Sequence, residues 1–373
     1  MNKIHRRSCM LVPMLVAMSA TAWASDTGYL FVSSEKDNSI SVLDGETYDV
    51  VKVIGTAARP RHLQFDPNRE LIYVAAGDGN AIDVIDVAKL ELVDRITGID
   101  DPELFDLSSD GKTMYISLED DAKLGILDLE AYFAERDEKP ELTVAAPTEG
   151  ELADEDDDEG EEEDEDEEDE AEDGDEGVPG MVTIEVGEEP EGILVNPNGQ
   201  TVYVSSEVAN LVHVVDVDAA EIVANVVVGN RPRRFALTPD QKELWVSNEL
   251  SGSVSILDVA TNEVLETIEF LPPGFRPEQV TPVGITMTDD GQTAIVGLGR
   301  ANHVAFVDTA SREIEDYVLV GERAWNTTLN RDNSLLFVVN GLSDDVSIID
   351  VGSRKVQTSI PVGRVPHTVL IDD

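Results

Sequence analysis

Residues 71–76 read Leu-Ile-Tyr-Val-Ala-Ala, and residues 81–86 read Ala-Ile-Asp-Val-Ile-Asp. Both runs are dominated by the branched and aromatic side chains that suit a pleated, half-buried surface, so they read as two strands. The same unit returns along the whole chain. Its central aromatic or branched residue is Phe31, Tyr73, Tyr115, Tyr203, Trp245, Ile295 and Phe337. The aspartate closing the next strand is Asp44, Asp86, Asp128, Asp216, Asp258, Asp308 and Asp350. Both series step by 42, 42, 88, 42, 50 and 42 residues, which is one 42-residue period with one insertion of 46 residues and one of 8.

Each unit holds four short strands. In the second unit they are Arg61 to Phe65, Leu71 to Val74, Ala81 to Asp86 and Leu92 to Ile96, separated by turns such as Asp66-Pro67-Asn68. A four-stranded sheet of this length cannot bury both faces alone; seven of them stacked in a ring can. The chain is therefore expected to be all-β: a seven-bladed β-propeller of four-stranded antiparallel blades. The first unit has only three strands (Tyr29 to Ile54), and the missing innermost strand is Val365 to Ile371. Pairing of the N- and C-terminal strands would close the ring and remove the exposed edges.

The start of the chain reads as an export signal. Lys3, Arg6 and Arg7 precede the apolar run Met10 to Ala20, and Ala22-Trp23-Ala24 gives the small-x-small cleavage pattern. Cleavage is placed after Ala24, which leaves residues 25–373 as the propeller and a periplasmic location as the expectation. The only cysteine, Cys9, lies in the signal. A mature chain without thiols has no disulfide, no zinc–thiolate site and no cysteine nucleophile. No later segment is apolar enough to span a membrane. The net charge of −52 argues against nucleic acid and anionic lipid as partners. Between residues 130 and 180 there are 27 acids and two bases. Leu129 to Arg136 is expected to form a short helix, and Asp154 to Glu176 a disordered run within this insertion.

In a propeller the connectors from each fourth strand to the next first strand gather around the channel. Arg61, Glu103, Glu191, Arg233, Val283, Trp325 and His367 occupy equivalent positions there, with His62, Arg234 and Asn326 beside them. Eight of the 15 arginines after residue 24 fall in these connectors, Arg59 and Arg231 included. Arg59, Arg61, His62, Arg231, Arg233, Arg234, Trp325 and His367 are therefore the candidate ligand- or partner-binding residues of a positive channel mouth. Guanidinium forks hold carboxylates in planar, two-point contacts, so the same arginines could instead pair with Glu103 and Glu191 to brace the ring. His62 and His367 are expected on neighbouring blades, with no third ligand in view for a metal. The repeated aspartates and serines (Ser34, Ser117, Ser206, Ser247) read as turn and strand devices, not as catalysts. No cofactor is expected.

The strands Tyr73-Val74-Ala75-Ala76, Tyr203-Val204-Ser205-Ser206 and Trp245-Val246-Ser247-Asn248, with Ser253-Val254-Ser255-Ile256-Leu257-Asp258, resemble the YVTN family of β-propeller repeat proteins. Seven repeats, a signal peptide and the ending Val362-Gly363-Arg364-Val365-Pro366-His367 are most similar to periplasmic members associated with alcohol catabolism dependent on pyrroloquinoline quinone (PQQ). That resemblance implies a non-enzymatic binding or scaffold protein. Its partner would be a periplasmic quinoprotein dehydrogenase, a cytochrome c or a small anionic ligand. The alternative is a lactonase-like hydrolase with its site at the channel mouth.

Overall fold

The computed structural model describes residues 26–136, 138–148 and 178–373. The expected signal segment and the run Asp154 to Glu176 lie outside the described residues. Seven four-stranded antiparallel sheets form the molecule. Blade 2 is built from Pro60–Phe65, Leu71–Ala76, Ala81–Asp86 and Glu91–Thr97, in sequence order from the channel outward. Blades 3 to 7 begin with Pro102–Leu107, Pro190–Val195, Pro232–Leu237, Ile285–Met287 and Ala324–Leu329. These first strands touch one another in a closed ring around the channel. The 8-residue insertion before blade 6 leaves its first strand only three residues long.

Blade 1 closes as the repeat phase requires. Its innermost strand is Pro366–Asp372, its second Tyr29–Ser34, with Tyr29 opposite Asp372 and Val32 opposite Val369. Side chains reinforce the seam. The Thr27 backbone N–H and hydroxyl both donate to Asp372 Oδ2 (2.8 and 2.7 Å), Arg69 donates to Asp372 Oδ1 (2.9 Å), and Arg331 pairs with Asp26 (2.7 Å).

Apolar clusters fill the spaces between blades, where one sheet's face meets the next. Trp245, Tyr203, Phe31, Phe105 and Phe306 are among the largest side chains wholly removed from water. The aspartate series behaves as a turn device. Asp44, Asp86, Asp128, Asp216, Asp258, Asp308 and Asp350 each accept a backbone N–H two or three residues on, at 2.7–3.0 Å.

The insertion in blade 3 begins with the helix Leu129–Glu135, capped by Asp128 and held by Tyr132, whose hydroxyl accepts the Thr97 N–H at 3.0 Å. Residues 138–148 then run as a strap over blade 2 to blade 1. Lys139 donates to Val93 O (2.7 Å), and Arg95, itself paired with the fully buried Asp83, donates to Thr143 O (2.9 Å). The Ala145 N–H reaches Thr56 O (2.9 Å), and the Thr148 N–H reaches Lys36 O (2.8 Å). Val144 sits where a side chain at Gly55 would otherwise be.

Candidate functional site

Three repeated devices aim the candidate residues at the channel. In every blade but the sixth, the residue before the ring strand is in the left-handed region: Arg59, Asp101, Glu189, Arg231, Arg323 and Val365 have φ between 31° and 60°. Five first strands then shift register after their first residue, as between Pro60 and Leu63 or Pro232 and Phe235; the innermost strand of blade 1 shifts too. Such a bulge turns the next side chains out of the ladder. Finally, in four blades a serine of the second strand fixes the carbonyl of the next blade's ring residue: Ser33 to Arg61 O (2.7 Å), Ser117 to Glu191 O (3.0 Å), Ser205 to Arg233 O (3.1 Å) and Ser247 to Val283 O (2.7 Å). The serines are stitches between blades.

The turn after each second strand lies on the same face. Its N–H bonds to the ring connector of the same blade, as Glu119 to Asp101 O, Glu207 to Glu189 O and Glu249 to Arg231 O. That turn delivers acids which sequence reasoning overlooked: Glu35, Glu119, Glu207 and Glu249 occupy one repeat position. They face the arginines. Arg59 lies within 3.3–3.8 Å of Glu35, Asp78, Asp101 and Glu103. Arg61, only 2% exposed, pairs with Glu103 and meets Glu35 at 4.0 Å. Arg231 meets Glu207 (2.5 Å) and Glu249 (3.7 Å). Arg233 is surrounded by Glu207, Glu249 (3.4 Å) and Glu191 (3.7 Å), and lies over the Trp325 ring at 5.1 Å. Arg234 pairs with Glu191. On Trp325's ring Arg323 lies at 4.8 Å.

The expectation of a positive mouth is therefore corrected. Arg59, Arg61, Arg231, Arg233, Arg234 and Arg323 share the face with Glu35, Asp101, Glu103, Glu119, Glu191, Glu207 and Glu249, so carboxylates match or outnumber guanidiniums. Burial alone would raise Glu191, but Arg233, Arg234 and Arg61 together hold it well below the usual carboxylate range. Glu207 is pushed up to about 7 by burial and by Glu191 and Glu249, against Arg233 and Arg231.

His62 and His367 do stand on neighbouring strands. Burial and Arg234 take His62 down to about 3; burial, Arg61 and Arg234 take His367 well below the ordinary imidazole value. His367 Nδ1 is 2.9 Å from the Thr368 hydroxyl, and its Nε2 is 3.5 Å from an Arg234 nitrogen. A guanidinium this close repels a metal ion. Among the described residues, Asp101, Glu103 and Glu119 bring carboxylate oxygens within 4.8 Å of one another, which is ligand geometry for a cation. Arg59 and Arg61 already hold two of the three. Burial first and Glu103 second push Asp101 up to about 6 and Glu119 up to about 10. A cavity of about 440 Å³ opens above them, lined by Arg59, Asp101, Glu119, Asp120, Glu188 and Glu189.

His213 meets Ser206 Oγ at 2.9 Å through Nε2 and Asn225 Oδ1 at 2.5 Å through Nδ1, an arrangement like a hydrolytic triad. Ser206 is wholly buried, and Gly187 N–H donates to the same Nε2 (3.0 Å). Asn248 and Asn340 make the same kind of ladder to Ser255 and Ser347, so the trio is a blade device.

The fold and this mouth define the protein as a seven-bladed β-propeller. The profile of the seven-bladed β-propeller lactonase family matches residues 178–269 and 222–363. No curated protein matches the chain. Among solved structures it is similar to hydrazine synthase of Kuenenia stuttgartiensis (16% identity, 87% of this chain and 93% of that one, TM-score 0.66). It is also similar to a functionally unknown protein from Desulfotomaculum acetoxidans (15%, 92% and 99%, TM-score 0.68). A third is the dihydro-haem d1 dehydrogenase NirN (15%, 93% and 76%, TM-score 0.63). At these identities the likeness is one of fold.

Proposed function

We propose that this chain is a non-enzymatic periplasmic binding propeller that supports PQQ-dependent alcohol oxidation by holding a protein partner, a quinoprotein dehydrogenase or a cytochrome c. The observation that carries the non-enzymatic part is the braced mouth: Arg61, Arg233 and Arg234 are buried and matched by Glu103, Glu191, Glu207 and Glu249. A guanidinium already bound by two or three carboxylates is poorly placed to stabilise the developing oxyanion of a hydrolysis. The net charge of −52 favours a basic partner surface and discourages anionic ligands. The link to alcohol oxidation rests on the resemblance carried by Val362 to His367. Immobilised residues 25–373 should retain a dehydrogenase or cytochrome from periplasmic extract, releasing it as salt rises; retention of neither would overturn the reading.

The lactonase family profile and the raised carboxyls of Asp101 and Glu119 in the cavity beside Arg59 favour a second reading, a lactonase-like hydrolase. Hydrolysis of simple γ- and δ-lactones by the purified protein, abolished by Asp101→Asn, would replace the first reading with the second.

A further inference from the structure

The two faces of the ring differ in what their loop tips present to water. On the face opposite the mouth the hairpin turns are polar, of the kind Ser108-Ser109-Asp110-Gly111 and Thr238-Pro239-Asp240-Gln241, and among the described residues they expose no large apolar side chain. On the mouth face the tip that follows each second strand is Lys36, Asp78 and Asp120 in blades 1 to 3 and Arg300 in blade 6, but Val208, Leu250 and Leu342 in blades 4, 5 and 7. These three are 52%, 54% and 43% exposed, and Leu271, in the long connector to blade 6, is 51% exposed. Their backbones are fixed: the N–H groups of Leu250 and Leu342 bond to Asn230 O (3.2 Å) and Glu322 O (3.1 Å) in the ring connectors.

Resting on the reading of a binding propeller, we infer that the mouth face docks a folded protein whose contact surface is apolar along one side and lysine- or arginine-rich along the other. The tips Val208, Leu250, Leu271 and Leu342, on blades 4 to 7, meet the apolar side. The acidic arc of blades 2 to 4, with Asp78, Asp120, Glu188 and Glu189 exposed around the cavity above Asp101, faces the basic side. Charge complementarity decides for a protein of this kind. An anionic membrane would gain from the leucines but be repelled by the acids, and an acidic protein would be repelled outright. Exposed valines and leucines also line the outer strands of the blades, as Val53, Val223, Val227 and Leu319 do; what distinguishes the mouth face is that its loop tips carry them beside exposed acids, a mixture of apolar and charged surface usual at protein interfaces.

The test places photo-crosslinking p-benzoylphenylalanine at 250, 342 or 120 in the exporting cell, with 198 and 240 on the opposite face as controls. The protein captured is then purified and titrated against parent, Leu250→Asp/Leu342→Asp and Asp120→Lys/Glu188→Lys. The inference expects crosslinks from 250, 342 and 120 only and at least tenfold weaker binding by the double leucine variant. It also expects weaker, less salt-sensitive binding by the charge-reversed variant, with unchanged melting temperatures for both. Crosslinks from 198 or 240 alone, or unaltered binding by the leucine variant, would overturn the inference while leaving the binding reading intact. Crosslinking of the chain to itself would make the face a self-interface and overturn it too. No crosslink at any position would overturn both.

Discussion

Replacing Arg233 by alanine asks whether the arginines brace the ring or wait for a ligand. Arg233 is 3% exposed and lies among Glu191, Glu207 and Glu249. Removing one member of a buried charge network leaves the others uncompensated, at a cost of ~3–5 kcal/mol. Loss of the guanidinium over Trp325, 5.1 Å away, adds to this. With an unfolding entropy of ~2.1 cal/mol/K per residue and a ring of about 320 residues, 4 kcal/mol lowers Tm by ~6 °C. The deficit should grow with pH. Glu207, pushed up to about 7, binds its proton more tightly folded than unfolded, so its contribution is full below the ordinary glutamate value and lost as pH rises through 7. Calorimetry at pH 6 and pH 9 measures both effects, and Arg233→Lys should recover part of the loss. A Tm within ~1 °C of the parent at both pH values would refute the brace and return Arg233 to the ligand-binding reading.

Four further outcomes are expected. Glu119→Gln should raise Tm at pH 8 and flatten its decline between pH 5 and 10, because burial and Glu103 raise the Glu119 carboxyl and its ionisation destabilises the fold; an unchanged pH profile would contradict this. Replacing Thr143-Val144-Ala145 by Gly-Ser-Gly should cost ~1–3 kcal/mol through lost hydrogen bonds and packing, whereas deleting residues 149–177 should leave Tm within ~1 °C or raise it, both read by thermal denaturation. Truncation after Arg364 should unfold or aggregate the protein by baring the edge of Tyr29–Ser34; cooperative melting at the parent temperature would show the pairing is dispensable. Intact mass of the exported protein should begin at Ser25, and a retained Cys9 would contradict the signal reading.

The strands, the aspartate-capped turns and the closing strand were legible because each depends on local pattern repeated at a fixed period. The channel mouth was half legible. The arginines stand out by composition, since so few bases occur elsewhere, but their partners do not. Glu35, Glu119, Glu207 and Glu249 are lost among 78 acids unless the column after each second strand is read by itself, where Gly77, Gly299 and Gly341 alternate with them. The exposed tips Val208, Leu250 and Leu342 share that neighbourhood and were missed for the same reason. The strap was not legible at all. Arg95 donates to its Thr143 carbonyl, and its Ala145 and Thr148 N–H groups donate to the Thr56 and Lys36 carbonyls of blade 1, and backbone groups leave no mark in a sequence. The five residues Leu142-Thr143-Val144-Ala145-Ala146, apolar in so acidic a stretch, were its one sign.

The strand that completes blade 1 is synthesised after every other strand of the ring. Tyr29–Ser34 is synthesised early and then waits, one ladder edge bare, until residues 366–372 arrive. A ring that joins its first and last strands has no closed state before residues 366–372 are present, so a chain broken off ahead of them presents an open sheet edge ready to pair with another. Thr27 and Arg69, gripping Asp372 from the far side of the sequence, make the arrival of that strand the moment of closure.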